Sequence, residues 1–561
     1  MKKNRFLKNV LVLLFSQGIV KIVGIIYKLY LTNKIGYGDT GNALFAAAFQ
    51  AYAIFLTVCS IGVPNAISSL VSEKFAVGDG RGAYRILKVA IAIFGTLGFL
   101  SCFVLYSFAG IIATTYLQMP ETEYVLKCLA PSIFIVGITS VLKGYFNGKQ
   151  KMKITANSLS IEQIIRTIFT ITLVEILSYL SKNNTIIMVC AVGISATIGD
   201  IVSLLYIYIN YLKSRREIWT DIITSKTYKK ERKRKIIKNI LKVSFPIAVC
   251  ALIGTVNKTI DAITVVRIAK KYLGEAEAVR QYGIFSGKVE SLILFPLSFN
   301  MAFATTLIPT ISGFKAKGEK DKAKHVLKLT ILVGILIAIP FFLIMFVFSE
   351  DVLRILFPKA SDGSIMLKYS SIIVLLAIIA QTINSYLQGM HKMGIQIISI
   401  SIGCIIKLVL NVLLISNEQI GIYGAVASNI ISYGIILLVL ICYLIKKEKI
   451  NFEIDKFFIK PVILTATMYI ILKNIYRINL ATSSVLKLAI SLGLGGIIYV
   501  IVILLFRIIT KEDLKIAKSS KHKTWKQLKL GKNLNFWNKK EGFCLILTNK
   551  FIGKVILPIT Y

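Results

Sequence analysis

The side chains of this chain that could do chemistry are mostly cations, and they stand where cations are expensive. Lys21 and Lys28 fall in the first long apolar run, Arg166 in the fifth, Lys258 and Arg267 in the seventh and Lys407 in the eleventh. An ionised group at mid-bilayer costs about 2.5–3.5 kcal/mol, so each must face a partner, a wet cavity or a ligand. Deep acids are fewer: Glu162 precedes Arg166 by one helical turn, and Asp261 follows Lys258 by three residues. A deep cation lacking a counter-charge can hold the phosphate of a substrate, whereas a deep acid can pair with a cation or exchange H+ or Na+. Nothing in the pattern suggests catalysis. The chain has no G-x-x-x-x-G-K-[ST] loop, and its three histidines and eight cysteines lack metal-ligand or redox spacing, so no cofactor or metal is expected.

Each cation has its own surroundings. Lys21 lies roughly 18 Å into its helix at 1.5 Å per residue. Gln17, Lys21, Gly24 and Lys28 recur at i, i+4, i+7 and i+11, which makes one polar stripe facing a cavity. Lys28 could instead snorkel to the outer surface. Arg166 and Glu162 could neutralise each other along their helix. Lys407 differs, because the position one turn before it is Gly403 and supplies no acid; Asn411 shares its face. That arrangement is expected to receive an anionic substrate group. Lys258 and Asp261 could form an ion pair, or Asp261 could serve as an ion-coupling site. Lys288 and Glu290 are expected only at the outer end of the eighth helix.

The elements that must position these groups are membrane helices. Of 561 residues, 55% are hydrophobic, and they fall into fourteen runs of about the length a bilayer requires, from residues 9–31 to 483–509. The thirteenth, 457–473, is the shortest. The first reads as a retained helix rather than a secretory signal, since it is long and contains Lys21 and Lys28. The runs also repeat. Gly148–Met152 (GKQKM) recurs as Gly389–Met393 (GMHKM), and eighteen residues beyond each glycine stands a cation, Arg166 or Lys407. Gly78, Asp79, Ala83, Leu87 and Lys88 match Gly318, Glu319, Ala323, Leu327 and Lys328. The expected fold is therefore an all-α integral membrane protein of about fourteen transmembrane helices, with two six-helix lobes related by a pseudo-twofold axis and a terminal helix pair. The expected divisions are a first lobe at 1–212, a basic linker at 213–239, a second lobe at 240–446, the terminal pair at 447–510 and a basic tail at 511–561. Prolines 64, 246, 296 and 309 suggest bends in the second, seventh and eighth spans.

The net charge of +41 alternates between loops, with eleven basic residues against three acidic in 213–239, and acid-containing loops such as 113–123 and 350–363 on the other side. This follows the positive-inside rule with both termini in the cytoplasm, and topology together with anionic lipid headgroups accounts for the charge without a nucleic-acid partner.

Lys143-Gly144-Tyr145-Phe146-Asn147-Gly148, followed by Met152, Thr155-Ala156 and Ile161-Glu162-Gln163-Ile164-Ile165-Arg166, resembles the stage V sporulation protein B family of polysaccharide flippases. These are relatives of the lipid II flippase within the multidrug/oligosaccharidyl-lipid/polysaccharide exporter superfamily. Gly62-Val63-Pro64, Tyr282-Gly283-Ile284 and Leu307-Ile308-Pro309-Thr310 are similar to other helices of that family, and Asp261, Val265 and Arg267 fit its seventh. The resemblance covers residues 8–510 and leaves the tail unplaced. It implies a bacterial cytoplasmic-membrane protein that moves an undecaprenyl-(pyro)phosphate-linked saccharide by alternating access. Cavity cations would hold the phosphates, the terminal pair would form a groove for the lipid tail, and membrane potential, H+ or Na+ would drive transport. Membrane lipids and cell-envelope synthesis proteins would be its partners. Lys21, Lys28, Arg166, Lys258, Arg267, Lys407 and Asn411 are then the candidate substrate-binding residues, with Glu162 and Asp261 as ion-coupling or ion-pair residues. The alternative is an ion-coupled small-molecule or multidrug antiporter of the same architecture. A membrane-bound sugar polymerase would need larger outer loops, and a scaffold would not need deep charges.

Overall fold

The computed structural model describes residues 18, 20, 22–225, 232–316, 318–478 and 484–505. Among the described residues every regular element is helical. Twelve spans among the described residues are long and apolar enough to cross a bilayer. At the first and eighth expected spans, residues 22–33 are helical, and Glu290–Ala316 is a helix preceded by a π-helical stretch, Gly283–Val289, which is consistent with fourteen. The thirteenth is longer than expected, since helix covers Asp455–Arg477. The described residues up to 502 form one compact unit, and the expected tail at 511–561 lies outside the described residues.

One helix shows why this chain needs lipid around it. Ser399, Gly403, Lys407 and Asn411 of the Met393–Ile415 helix, spaced by four, are buried, while Ile405, Val409 and Leu413 are exposed. Polar residues inside and apolar residues outside invert the pattern of a water-soluble helix. The tertiary contacts follow. Met152–Leu180 packs on Thr185–Lys213, Met393–Ile415 on Tyr423–Lys446, and the Lys233–Leu273 helix on both Met393–Ile415 and the first-half Gly38–Ser60 helix.

The sequence repeat is carried into the backbone. Helices start at Gly80 and Lys320 behind left-handed glycines, Gly78 (φ 74°) and Gly318 (φ 73°). Helices end at Gly148 and Gly389 and resume at Met152 and Met393, with left-handed Gln150 (φ 59°) and His391 (φ 56°) in the turns. Local chemistry supports the starts. Asp79 accepts a bond from the Gly82 amide at 2.7 Å, and Asn184 from Ile186 at 3.0 Å, each satisfying an amide that the first helical turn leaves free.

Two expectations need correction. The second span is broken rather than bent, with helices at Gly38–Ser60 and Val63–Ala76 separated by Gly62 at φ 88°, a conformation glycine adopts without steric cost. Pro64 then occupies the start of the second helix, where its missing N–H costs nothing. The Lys233–Leu273 helix, by contrast, runs for 41 residues through Pro246 without interruption. It begins inside the expected linker, which also contains the Arg215–Ile223 helix. Glu217 and Asp221 of that short helix hold Lys149 at 3.2 and 2.6 Å, and Glu217 also pairs with Lys151.

Candidate functional site

In the second half, three helices build a closed polar cluster. Lys407 Nζ lies 2.7 Å from Asp261 Oδ2 and donates to the carbonyl of Asn257 at 2.7 Å and to its side-chain oxygen at 3.0 Å. Asn411 donates to Asp261 Oδ1 at 3.0 Å and to Thr264 at 2.9 Å, and Asn429 donates to Asp261 Oδ2 at 3.1 Å. Both oxygens of Asp261 are thus engaged. Lys407 is 1% exposed, and the expectation that it stands without a counter-charge is overturned. Its acid comes from another helix 146 residues away in sequence, which no one-turn spacing rule could find. The pairing of Lys258 with Asp261 fails for the same reason. Lys258 instead meets Glu290 at 2.8 Å. Glu290 is part of the site rather than interfacial, and Ser286 donates to it at 3.3 Å. Lys258, Asp261, Glu290 and Lys407 line a cavity of about 40 Å³, which is room for a few waters.

In the first half, the repeat-related cation is held differently. Arg166 reaches Asp200 at 3.3 Å and Glu162 at 3.7 Å, and Glu162 also meets Lys143 at 3.2 Å. The expected Arg166–Glu162 pair is present, but it is the longer contact. Asp200, on the neighbouring Thr185–Lys213 helix, was not among the expected site residues. A deep acid facing Arg166 across a short helical hairpin was the available signal. The Arg166 side chain keeps 26% of its surface exposed, yet its buried Nε has no hydrogen-bond partner.

The other candidates disperse. Lys21 lies outside the described residues. Lys28 turns inward and donates to Asn42 at 2.6 Å, so it does not snorkel. Arg267 is apart from both clusters, exposed, and donates to the carbonyl of Thr115. Lys288 is not interfacial either: it is fully buried against Asp39 of the first half at 3.0 Å and donates to the Ala360 carbonyl. Around that end of the bundle Asn33 donates to the Leu356 carbonyl at 2.8 Å and accepts from the Lys359 amide at 3.3 Å. First-half and second-half residues are clasped together there.

A second cavity is apolar. The helices Lys320–Val347, Ile372–Gly389 and Lys460–Arg477 enclose about 540 Å³ against Phe342, Phe346, Phe457, Phe458 and Tyr469.

A doubled helical bundle with charges buried between its helices and an apolar groove on its flank has the architecture of a membrane carrier. More particularly, the chain belongs to the polysaccharide biosynthesis protein family, whose model matches residues 6–315. A MatE model matches residues 246–413. Stage V sporulation protein B of Bacillus subtilis (strain 168) is 26% identical over 526 residues, covering 92% of this chain and 98% of the relative. Lipid II flippase MurJ of the same organism is 26% identical over 444 residues, covering 77% and 80%. A solved structure of lipid II flippase MurJ in an inward closed conformation shares the fold, with a TM-score of 0.65 and 17% identity over 89% of this chain and 99% of that one.

Proposed function

We propose that this protein moves an undecaprenyl-(pyro)phosphate-linked saccharide, lipid II or another cell-envelope polysaccharide precursor, across the cytoplasmic membrane by alternating access. The observation that carries the reading is Arg166: a deep arginine whose side chain is partly exposed, loosely held by two acids, with one buried N–H unpartnered. A diphosphate offers pairs of oxygens that a planar guanidinium can bind with two parallel bonds, and its charge is large enough to displace the carboxylates. Lys143 stands beside the same acids and would join it. The apolar groove supplies a place for the long chain to lie while the sugar passes between the lobes. With both termini cytoplasmic, the clasp of Asp39 with Lys288 closes the outer end, so this state awaits substrate from inside.

The alternative, an ion-coupled small-molecule antiporter, needs an acid free to exchange its cation. Asp261 has both oxygens engaged by Lys407, Asn411 and Asn429, which disfavours it in that role. Glu290, in the wall of the small cavity, is the better candidate for H+ or Na+ coupling.

The test is depletion of the protein in its host, with the leaflet of the lipid-linked peptidoglycan precursor as the readout and Arg166→Ala as a complementing variant. Accumulation on the cytoplasmic side, reversed by wild type but not by the variant, is the expected result. Unchanged sidedness would rule out lipid II as cargo and direct the same assay to other polysaccharide carriers.

A further inference from the structure

The apolar groove ends in two lysines that, among the described residues, have no acid within 4 Å. Lys368, in the Ser364–Ser370 helix, places its Nζ 5.2 Å from the centroid of Phe346 and 6.0 Å from that of Tyr369. Lys473, near the end of the Lys460–Arg477 helix, lies 5.7 Å from the centroid of Tyr469. Phe346 and Tyr469 both line the groove and meet edge to face at 6.1 Å. The order in space is therefore cation, ring, ring, cation, across one mouth of the groove.

A ring face attracts an ammonium but accepts none of its three hydrogen bonds in the way a carboxylate does. Among the described residues no acid approaches either lysine within 4 Å, although three acids belong to the segment 348–363 at this end. Glu350 pairs with Arg354 at 2.6 Å, Asp351 accepts from Tyr476 at 2.7 Å, and Asp362 pairs with Arg280 at 2.6 Å. The nearby negative charge is committed elsewhere, while two ammonium groups are held at the end of an oily trough. That combination is complementary to a long apolar chain with an anionic head.

We infer that Lys368 and Lys473 form a second phosphate site, at the mouth of the groove, which takes the head phosphate of a polyprenyl-linked lipid whose chain lies against Phe346 and Tyr469. The inference rests on the proposed lipid-linked cargo, but it concerns a position separate from Arg166. The two lysines stand on helix ends beside the 348–363 loop, which is the outer side in the topology expected from loop charge. The site would receive the phosphate after the crossing, so that the head passes from the Arg166 cluster to the groove mouth and leaves laterally into the outer leaflet.

The full chain in nanodiscs of neutral lipid would be titrated with three fluorescent probes: a polyprenyl diphosphate, the uncharged polyprenol of equal length, and phosphatidylglycerol. Wild type is expected to bind the diphosphate at least tenfold more tightly than either other probe. The Lys368→Ala/Lys473→Ala double variant should lose most of that margin while holding polyprenol unchanged, and Lys368→Arg/Lys473→Arg should restore it. Phe346→Ala should weaken diphosphate and polyprenol alike. Thermal unfolding of the alanine pair, expected to match wild type, separates a binding loss from a folding defect. If wild type ignores the diphosphate altogether, the cargo itself is wrong and the proposed function falls. If wild type binds it but the double variant binds equally well, only the groove-mouth site is refuted. Equal binding of phosphatidylglycerol would also refute it, showing a site for bulk anionic lipid.

Discussion

Arg166 and Lys407 occupy matching positions in the two repeats, yet they are different kinds of site. Lys407 is 1% exposed and has three close acceptor atoms at 2.7–3.0 Å, two on Asn257 and one on Asp261, an acid that is itself held by two asparagines. Arg166 is partly exposed, its acids lie at 3.3 and 3.7 Å, and its Nε is unpartnered. Each half contains two cations and two acids in its cluster: Lys143, Arg166, Glu162 and Asp200 in the first, Lys258, Lys407, Asp261 and Glu290 in the second. Duplication thus preserved the place of the cation, while the acids came from different helices. The lesson is that net charge cannot rank the two sites, because both sum to zero. Closeness of the pairing can. A saturated pair is a structural tie, and a loose one can exchange its partner for a ligand.

The largest expected effect breaks the saturated pair. Lys407→Ala strands Asp261 in a buried cluster, and removing one partner of a buried ion pair costs about 3–5 kcal/mol. Thermal unfolding in detergent should show a large loss of stability. Lys407→Met combined with Asp261→Leu should recover most of it, because no lone charge is left behind. If the single and double variants are equally unstable, packing rather than charge holds this cluster. Arg166→Ala should behave in the opposite way. Its pairs are longer and its own side chain is partly exposed, so the loss of stability should be smaller than for Lys407→Ala although Asp200 is left buried, while flipping of a lipid-linked precursor in proteoliposomes should be abolished. An Arg166→Ala protein that unfolds early and still transports would reverse the assignment of roles.

The same contrast shows what sequence could and could not reveal. The helices and their repeat were legible, because hydrophobic length and a fixed offset are properties of the chain alone. So was the Arg166–Glu162 contact, since residues four apart share a helix face. The partners of Lys407, Lys258 and Lys288 were not. Asp261, Glu290 and Asp39 reach them through interhelical packing, over separations that no local period encodes. Ranking Lys407 above Arg166 as a phosphate site followed from that blindness: Gly403 removed the one acid that could be seen, and Asp261 could not be seen to replace it.

Gly403 offers a smaller test of the comparison. It stands where the first repeat has Glu162, and a Cβ there would lie 2.6 Å from Ile436 Cγ1 and 3.1 Å from Ser432 Oγ of the Tyr423–Lys446 helix. The close approach of that helix, and not the charge requirement of Lys407, explains the glycine. Gly403→Ala should therefore cost about 1–3 kcal/mol through overpacking, read as lowered thermal stability. Tolerance of alanine would show that the helices can separate there, and the glycine would need another reason.

The smallest effect belongs to a charge cluster outside the membrane, where Lys149 and Lys151 hold Glu217 of the Arg215–Ile223 helix. Partial burial tends to raise the Glu217 pKa, but the hydrogen bond from Lys151 and the charges of both lysines outweigh it and hold the carboxyl below its ordinary value of about 4.5. A depressed folded pKa contributes stability that is fully present above the unfolded value and is lost as pH falls through the folded one. Docking of this helix should thus be constant from neutral pH to about pH 5 and should loosen only below about pH 4. Trp219, on the same helix and half exposed, reports the change by its emission in a Trp525→Phe/Trp537→Phe background. Glu217→Gln should remove the acid transition. Raising salt should weaken this contact at neutral pH while leaving the Lys407–Asp261 tie untouched, because mobile ions screen exposed charges far better than buried ones. An acid transition that survives Glu217→Gln, or salt sensitivity shared by both sites, would mean that exposure does not separate the molecule's replaceable ion pairs from its permanent ones.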